Sequence, residues 1–139
     1  MNPLASLADY ELFIYGLPIQ FAGIQQSSLV LVRLGASVAR LTGDLAFAGG
    51  LRLAVWEHLQ FGGPGNSIVQ YSYEVWRGDE KLYWYDSQPH PGDAVLRSTH
   101  PHHKHIPPDI KHHRIPAPQL SFDRPNLPLL IAEIEALTG

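Results

Sequence analysis

The chain has 139 residues, of which 45% are hydrophobic and 17% are charged, and its formal net charge is −3 at pH 7. These values are typical of one globular domain over residues 1–139, and they exclude a wholly disordered chain and a broadly basic nucleic-acid-binding protein. The chain has no cysteine, which excludes disulfides and sites built on a thiolate.

A short helix and two early strands are predicted in the amino-terminal part of the chain. Asn2 can cap the helix, Pro3 suits its first position, and apolar residues recur at helical spacing until Gly16. Branched apolar residues at 29–33 and 36–42 then indicate strands.

The middle of the chain has the alternation of a sheet that is buried on one side. Residues 51–61 alternate between apolar and polar, which predicts a half-buried strand. The alternation is interrupted at Trp56 and Glu57, which leaves a bulge and a functional irregularity as alternatives there. Residues 68–77 and 81–86 are rich in aromatic and branched side chains, and the Gly-Asp step between them predicts a β-hairpin.

Prolines recur after the hairpin and predict a long His- and Pro-rich loop over residues 87–120. Asn126 can cap a final helix whose apolar residues continue to Leu137. The sequence therefore predicts an α+β fold: an antiparallel β-meander of about four to five strands, with an N-terminal helix, a C-terminal helix and the loop.

Histidines are concentrated in this loop, since seven of the eight lie within residues 90–113. In an extended backbone alternate residues share a side, so His103 and His105 can converge while Lys104 points away. If the loop folds back over the aromatic strand, four residues can form one polar pocket: Asp86, His90, His103 and His105.

One hypothesis is metal-independent cleavage of RNA, in which two imidazoles beside a phosphate act as general acid and general base. His103 and His105 would transfer protons, and Asp86 would orient one imidazole. Lys104 and Arg97 would neutralise the phosphate. His90 completes the candidate catalytic group.

Two other interpretations use the same histidines. Neutral imidazoles bind zinc, nickel or copper, and a nearby carboxylate could complete the set. The candidate metal ligands are His90, His102, His103 and His105. Alternatively, the segment is a solvated loop whose imidazoles only form hydrogen bonds with backbone or water.

The aromatic hairpin offers a candidate binding surface. Tyr71 and Trp84 could stack nucleobases or contact a protein partner, as aromatic residues do on open sheets. Such residues more often pack in the core of a small domain, so this alternative stays open. A binding module without turnover would use this surface alone.

Three stretches of the chain resemble the TumE-like family of small prokaryotic toxins. The family pattern has a Tyr-rich hairpin, an Asp followed by an Ala-Pro-His-like step, a Phe-Pro-His-His-Lys-His-like run and a final helix. The residues that match its polar steps are Asp86, Pro89, His90, Pro101, His102, His103, Lys104 and His105. The sequence departs from the pattern at His100, where the family has an aromatic residue, and at Ser87 and Gln88.

The resemblance implies the toxin of a toxin–antitoxin module, neutralised by an antitoxin that often carries a helix-turn-helix domain. By analogy with other small toxins, RNA is the expected target. No apolar run approaches the ~18 residues of a membrane span, and the first residues lack the features of a signal peptide, so we expect a cytoplasmic protein without membrane contact. An uncovered edge strand would favour a homodimer.

Overall fold

The structure is a computed structural model that describes residues 2–63 and 67–138. Its helices are α1 (Leu7–Tyr15), α2 (Leu17–Gln20) and α3 (Leu127–Thr138). The strands are β1 (Gln26–Ser27), β2 (Val30–Arg33), β3 (Val38–Ala46), β4 (Leu51–Gln60), β5 (Ile68–Arg77), β6 (Glu80–Asp86), β7 (His103–His105) and β8 (Arg114–Pro116). No helix among the described residues is long and apolar enough to cross a membrane.

All the strands belong to one antiparallel sheet in the order β1-β3-β4-β5-β6-β7-β8, with β2 also paired to β3. This confirms the predicted α+β fold with helices at both ends. The predicted number of strands was wrong, because the described residues form eight strands rather than four or five. β7 and β8 lie inside the segment predicted as loop. Each has only three residues, and β8 is at the sheet edge, where Pro116 is tolerated.

The predicted helices are present, but their caps differ from those expected. Asn2 accepts a hydrogen bond from the Leu4 N–H and begins a short 3₁₀ turn, while Ser6 caps α1 itself. Asn126 precedes α3 as predicted, and its carbonyl accepts the first helical hydrogen bond, from Leu130. Its side chain instead donates to the Tyr73 hydroxyl at 3.1 Å, so it ties the start of α3 to the sheet.

One face of the sheet is packed against α1 and α3 and forms the core. The inward residues of β4 are buried throughout, with Glu57 in the row at zero exposure. Of the two alternatives considered at Trp56 and Glu57, the bulge is absent there, because the alternation continues through both residues. The register shifts two residues later, between His58 and Leu59, where the partner strand carries the extra residue Val69.

The opposite face of the sheet is called the outer face below. Residues alternate with the buried ones along β4, β5 and β6 and therefore project to this side. The outer face carries Arg52, Trp56, Ser72, Glu74, Trp76, Trp84 and Asp86.

Gly43 lies in β3 beside the break between β1 and β2. Its φ of 132° disfavours any L side chain, and an added Cβ would collide with the backbone of Ser28. We expect Gly43→Ala to lower the free energy of unfolding by about 2 kcal/mol, as measured by chemical denaturation. Gly35→Ala is the matched control, because a Cβ there meets nothing within 4 Å. Equal losses in the two variants would contradict this explanation.

Candidate functional site

Pairing of β6 with β7 builds the candidate site. Asp86 lies directly opposite His103, and Trp84 lies directly opposite His105. Because alternate strand residues share a face, both histidines project to the outer face and Lys104 projects to the inner one. The predicted convergence of the two histidines with Asp86 is therefore present in the structure.

These three side chains touch one another, and we call them the Asp86–His103–His105 cluster. The His103 Nε2 atom lies 2.8 Å from Asp86 Oδ1, and the His105 Nε2 atom lies 3.3 Å from Asp86 Oδ2. The two Nε2 atoms are 3.1 Å apart. All three groups thus meet at one point.

Backbone carbonyls fix the orientation of both imidazoles. His103 Nδ1 donates to the Pro101 carbonyl, and His105 Nδ1 donates to the Ile110 carbonyl, each at 3.0 Å. A carbonyl can only accept, so both Nδ1 atoms carry protons. The Nε2 atoms are left to exchange a proton with Asp86 or to bind a ligand.

The cluster is largely removed from solvent, with side-chain exposures of 1% for His103, 5% for His105 and 18% for Asp86. Burial opposes ionisation of Asp86, but hydrogen bonds from His103 and Trp84 outweigh it and lower its pKa to about 2. Burial also opposes protonation of His103, yet its hydrogen bonds with Asp86 and the Pro101 carbonyl raise the pKa of this imidazole. For His105 burial prevails and lowers the pKa. The pKa values of the two imidazoles are therefore shifted in opposite directions.

Neighbouring groups hold the cluster in place. The Trp84 indole stacks on His105 with ring centres 3.9 Å apart, and its Nε1 donates to Asp86 Oδ2 at 3.0 Å. The Gln88 N–H donates to the other carboxylate oxygen, at 3.0 Å. The His90 ring meets His103 edge-on, with centres 4.8 Å apart. His90 thus lies at the rim of the cluster.

The two predicted phosphate-binding cations are not members of the cluster. The Lys104 Nζ atom is on the inner face, 4.2 Å from the ring centre of Tyr83 and 5.1 Å from that of Tyr85. Lys104 and the histidine pair therefore do not face one common phosphate, contrary to the predicted grouping. Arg97 lies in a 3₁₀ turn and lines a depression of about 430 Å³ together with His90.

Tyr71 and His102 form a separate contact in the core. The Tyr71 ring is stacked on Tyr73 and on His102, and its hydroxyl lies 2.6 Å from His102 Nδ1. Tyr71 is only 2% exposed. Of the two aromatic residues predicted to bind substrate, Trp84 is the one on the outer face.

Sequence reasoning missed Arg114. This residue lies opposite His105 on β8, and its charge opposes protonation of His90, His103 and His105. Its buried Nε atom has no hydrogen-bond partner among the residues that the structure describes. No pattern in the sequence could single out Arg114, because its position depends on the pairing of two strands within a segment predicted as loop.

The cluster also has the donor set of a metal site. One ligand atom each from Asp86, His103 and His105 lies within 4.8 Å of the others. Nδ1–H groups bound to carbonyls and Nε2 atoms facing inward are the arrangement of metal-ligating histidines. The three converging atoms belong to Asp86, His103 and His105, whereas His102, a predicted ligand, is turned towards Tyr71.

The model of a protein family described as Toxin TumE matches residues 20–138 of the chain. The matched range includes the whole sheet, α3 and every residue of the cluster. No curated protein and no solved structure matches the chain.

Proposed function

Since the chain belongs to the TumE toxin family, and is thus a toxin component of a toxin–antitoxin module, we propose that it cleaves RNA in the cytoplasm at the Asp86–His103–His105 cluster. The observation that supports this proposal is the contact among two imidazoles and one carboxylate at the end of an open sheet face. The family also implies a cognate antitoxin as partner, and we propose one with a helix-turn-helix domain.

The two histidines have complementary roles in this proposal. His105, with a free Nε2 lone pair, takes the proton of the ribose 2′-hydroxyl while the 2′-oxygen forms a bond to phosphorus. His103 gives its Nε2 proton to the departing 5′-oxygen as the P–O5′ bond breaks. The products are a 2′,3′-cyclic phosphate and a 5′-hydroxyl. Asp86 stabilises the imidazolium form of His103.

Substrate binding must separate the two imidazoles. Acid and base lie on opposite sides of phosphorus during in-line displacement, whereas the two Nε2 atoms are 3.1 Å apart without substrate. A phosphate that enters between them would replace their mutual contact by hydrogen bonds to its oxygens. Arg114, opposite His105 on β8, would neutralise its charge, and Arg97 would add to this from the depression that it shares with His90.

The test is cleavage of a short RNA by the purified protein, followed by identification of the new ends. We expect 2′,3′-cyclic phosphate and 5′-hydroxyl ends, formed equally well after dialysis against a chelator. Intact RNA under conditions in which the same preparation arrests growth would count against RNA as the target.

A metal site is the second candidate function, favoured by the three ligand atoms that converge in the cluster. Two neutral imidazoles and a carboxylate suit zinc or nickel. In this case the tag-free protein should retain one equivalent of metal after dialysis, and Asp86→Asn should lose it, as measured by elemental analysis. Metal below stoichiometry and equal in both proteins would contradict the site.

A homodimer is proposed through the edge strand β2. Val30 and Val32 are 50% and 38% exposed, and edge strands readily pair with a second chain. The Leu31 N–H between them donates to the Tyr15 hydroxyl at 3.0 Å, so a second chain would have to displace this contact. Light scattering should show a dimer for the native chain and a monomer for Val32→Lys. A monomeric native chain would exclude this pairing.

A further inference from the structure

All three tryptophans of the chain lie on the outer face. Trp56, Trp76 and Trp84 are on the adjacent strands β4, β5 and β6, and each is half-buried. Indole rings are rarely left on a solvated sheet face without a partner, because their burial contributes much to stability. Because the core lies on the opposite face of the sheet, packing in the core does not explain this row of rings.

Two of the three rings already have partners. The Arg52 guanidinium lies 5.2 Å from the Trp76 ring centre, and the Lys81 Nζ lies 5.3 Å from Trp76 and 4.3 Å from Trp84. Trp84 also stacks on His105. These contacts form a continuous line of cations and rings that ends at the cluster.

Trp56 differs from the other two tryptophans. Within residues 2–63 and 67–138, no aromatic ring or cation stacks on it. It lines two adjoining depressions with Ser72, of about 470 and 310 Å³, which is within the ~300–1,000 Å³ range of ligand sites. The larger depression also contains Gln70, Gln88 and the side chain of Asp86. An open indole face is thus joined directly to the cluster.

The groups around Trp56 suit an unpaired nucleobase. The ring offers a flat apolar face for stacking, and the Gln70 and Gln88 amides and the Ser72 hydroxyl can donate to or accept from a base edge. Stacking requires an exposed base face, which a duplex hides and a single strand presents. Asp86 belongs to both the depression and the cluster, so the backbone of the bound strand would meet the cluster there.

Charge alone does not make this face a binding site for nucleic acid. Arg52 is paired with Asp44 at 3.3 Å, and Lys81 is paired with Glu74 at 3.0 Å. Arg40, opposite His58 on β3, adds one exposed cation to the same face. With two of these cations paired and a net charge of −3, stacking should supply a large part of the affinity.

From these observations we infer that Trp56 is a stacking platform for one unpaired base of single-stranded RNA next to the cleaved linkage. This inference rests on the proposed function and specifies its substrate class. Because few phosphates are neutralised, binding should depend less on salt than that of a basic protein.

The test measures binding of a fluorescein-labelled 2′-O-methyl oligonucleotide, which cannot be cleaved through a 2′-hydroxyl, by fluorescence anisotropy. We expect Trp56→Ala to raise the Kd about tenfold or more, and Trp56→Phe to retain most of the affinity because it keeps a flat ring. The same oligonucleotide annealed to its complement should bind weakly. Tyr15→Ala, which removes an exposed aromatic ring at the end of α1, should leave the Kd unchanged.

Thermal unfolding identifies variants that fail to fold, and Trp56→Leu provides a second variant that keeps apolar bulk without a stacking face. An unchanged Kd in folded Trp56→Ala, or equal affinity for the duplex, would overturn the inference. The inference would also be overturned if folded Trp56→Ala lost antitoxin binding but kept its affinity for RNA, because the outer face would then be a protein interface. Failure of the cleavage proposal and failure of this inference can be told apart. If the native chain leaves RNA intact yet binds it through Trp56, the cleavage proposal is wrong and the role of Trp56 in binding is retained. If cleavage occurs and Trp56→Ala changes neither Kd nor KM, the platform fails alone.

Discussion

Replacement of His103 and His105 together by glutamine should abolish both growth arrest and RNA breakdown on induced expression. The double variant removes the proton acceptor and the proton donor, each of which contributes ~10²–10⁴-fold to such reactions. We expect the cleavage rate of the purified protein to fall at least about hundredfold. Each single variant should lose nearly as much as the double variant, because the two imidazoles act in one step.

His112→Gln is the matched control, because this histidine belongs to the same segment but is exposed and pairs with Asp109, outside the cluster. It should arrest growth like the native chain at equal soluble level. The buried histidines also support the fold, so the double variant must show the native circular dichroism spectrum and cooperative unfolding. A folded double variant that still arrests growth would remove the cluster from the mechanism.

The cluster shows which part of a site can be predicted from local patterns. The alternate spacing of His103 and His105 determines that they share a face, and a position at the end of a predicted strand determines where Asp86 projects. Both statements depend only on the geometry of an extended chain. The sequence could thus predict that three residues converge if the loop folded back over the strand.

The remaining features depend on long-range pairing, which sequence periodicity does not encode. β7 and β8 are too short to have a recognisable period, and their prolines are typical of loops. Without the register of these strands, Arg114 cannot be placed near His105, nor Lys104 on the other face. The aromatic strands were ambiguous for another reason: their alternation separates two faces but does not identify the buried one. For this reason the sequence predicts one binding surface that contains both Tyr71 and Trp84, although these residues lie on opposite faces of the sheet.

Glu57 is the residue whose position is predicted least well from the alternation of polar and apolar residues along its strand. A carboxylate in a row of buried apolar residues looks like an interruption, yet its side chain is fully buried. Tyr10 from α1 donates to Oε1 at 2.5 Å, and Tyr73 from β5 donates to Oε2. Asn126 donates to Tyr73 in turn. Glu57 therefore joins the first helix, the sheet and the start of α3 by hydrogen bonds.

This network should make the stability of the protein depend on pH. Burial raises the pKa of Glu57 from 4.5 to about 7, although both tyrosine hydrogen bonds act to lower it. Between these values the folded chain holds a proton that the unfolded chain has released, so stability falls as pH rises. The stabilisation is complete below about pH 4.5 and is lost as pH passes through about 7. The loss should be about 3 kcal/mol, since each pKa unit corresponds to ~1.4 kcal/mol.

Glu57→Gln keeps the shape of the side chain and cannot ionise, so it should remove this part of the pH dependence. The two proteins should have similar unfolding free energies near pH 5, and the variant should be more stable by about 3 kcal/mol near pH 8. Urea denaturation across this pH range measures the difference in unfolding free energy between the two proteins. Both proteins have the same histidines, so the pH dependence that the histidines contribute cancels in this difference. Gln70→Glu is a control that places a carboxylate on the exposed side of β5 and should add no such slope. Parallel stability curves for the native chain and Glu57→Gln would mean that Glu57 stays ionised in the folded protein and that Tyr10 and Tyr73 fully compensate its burial.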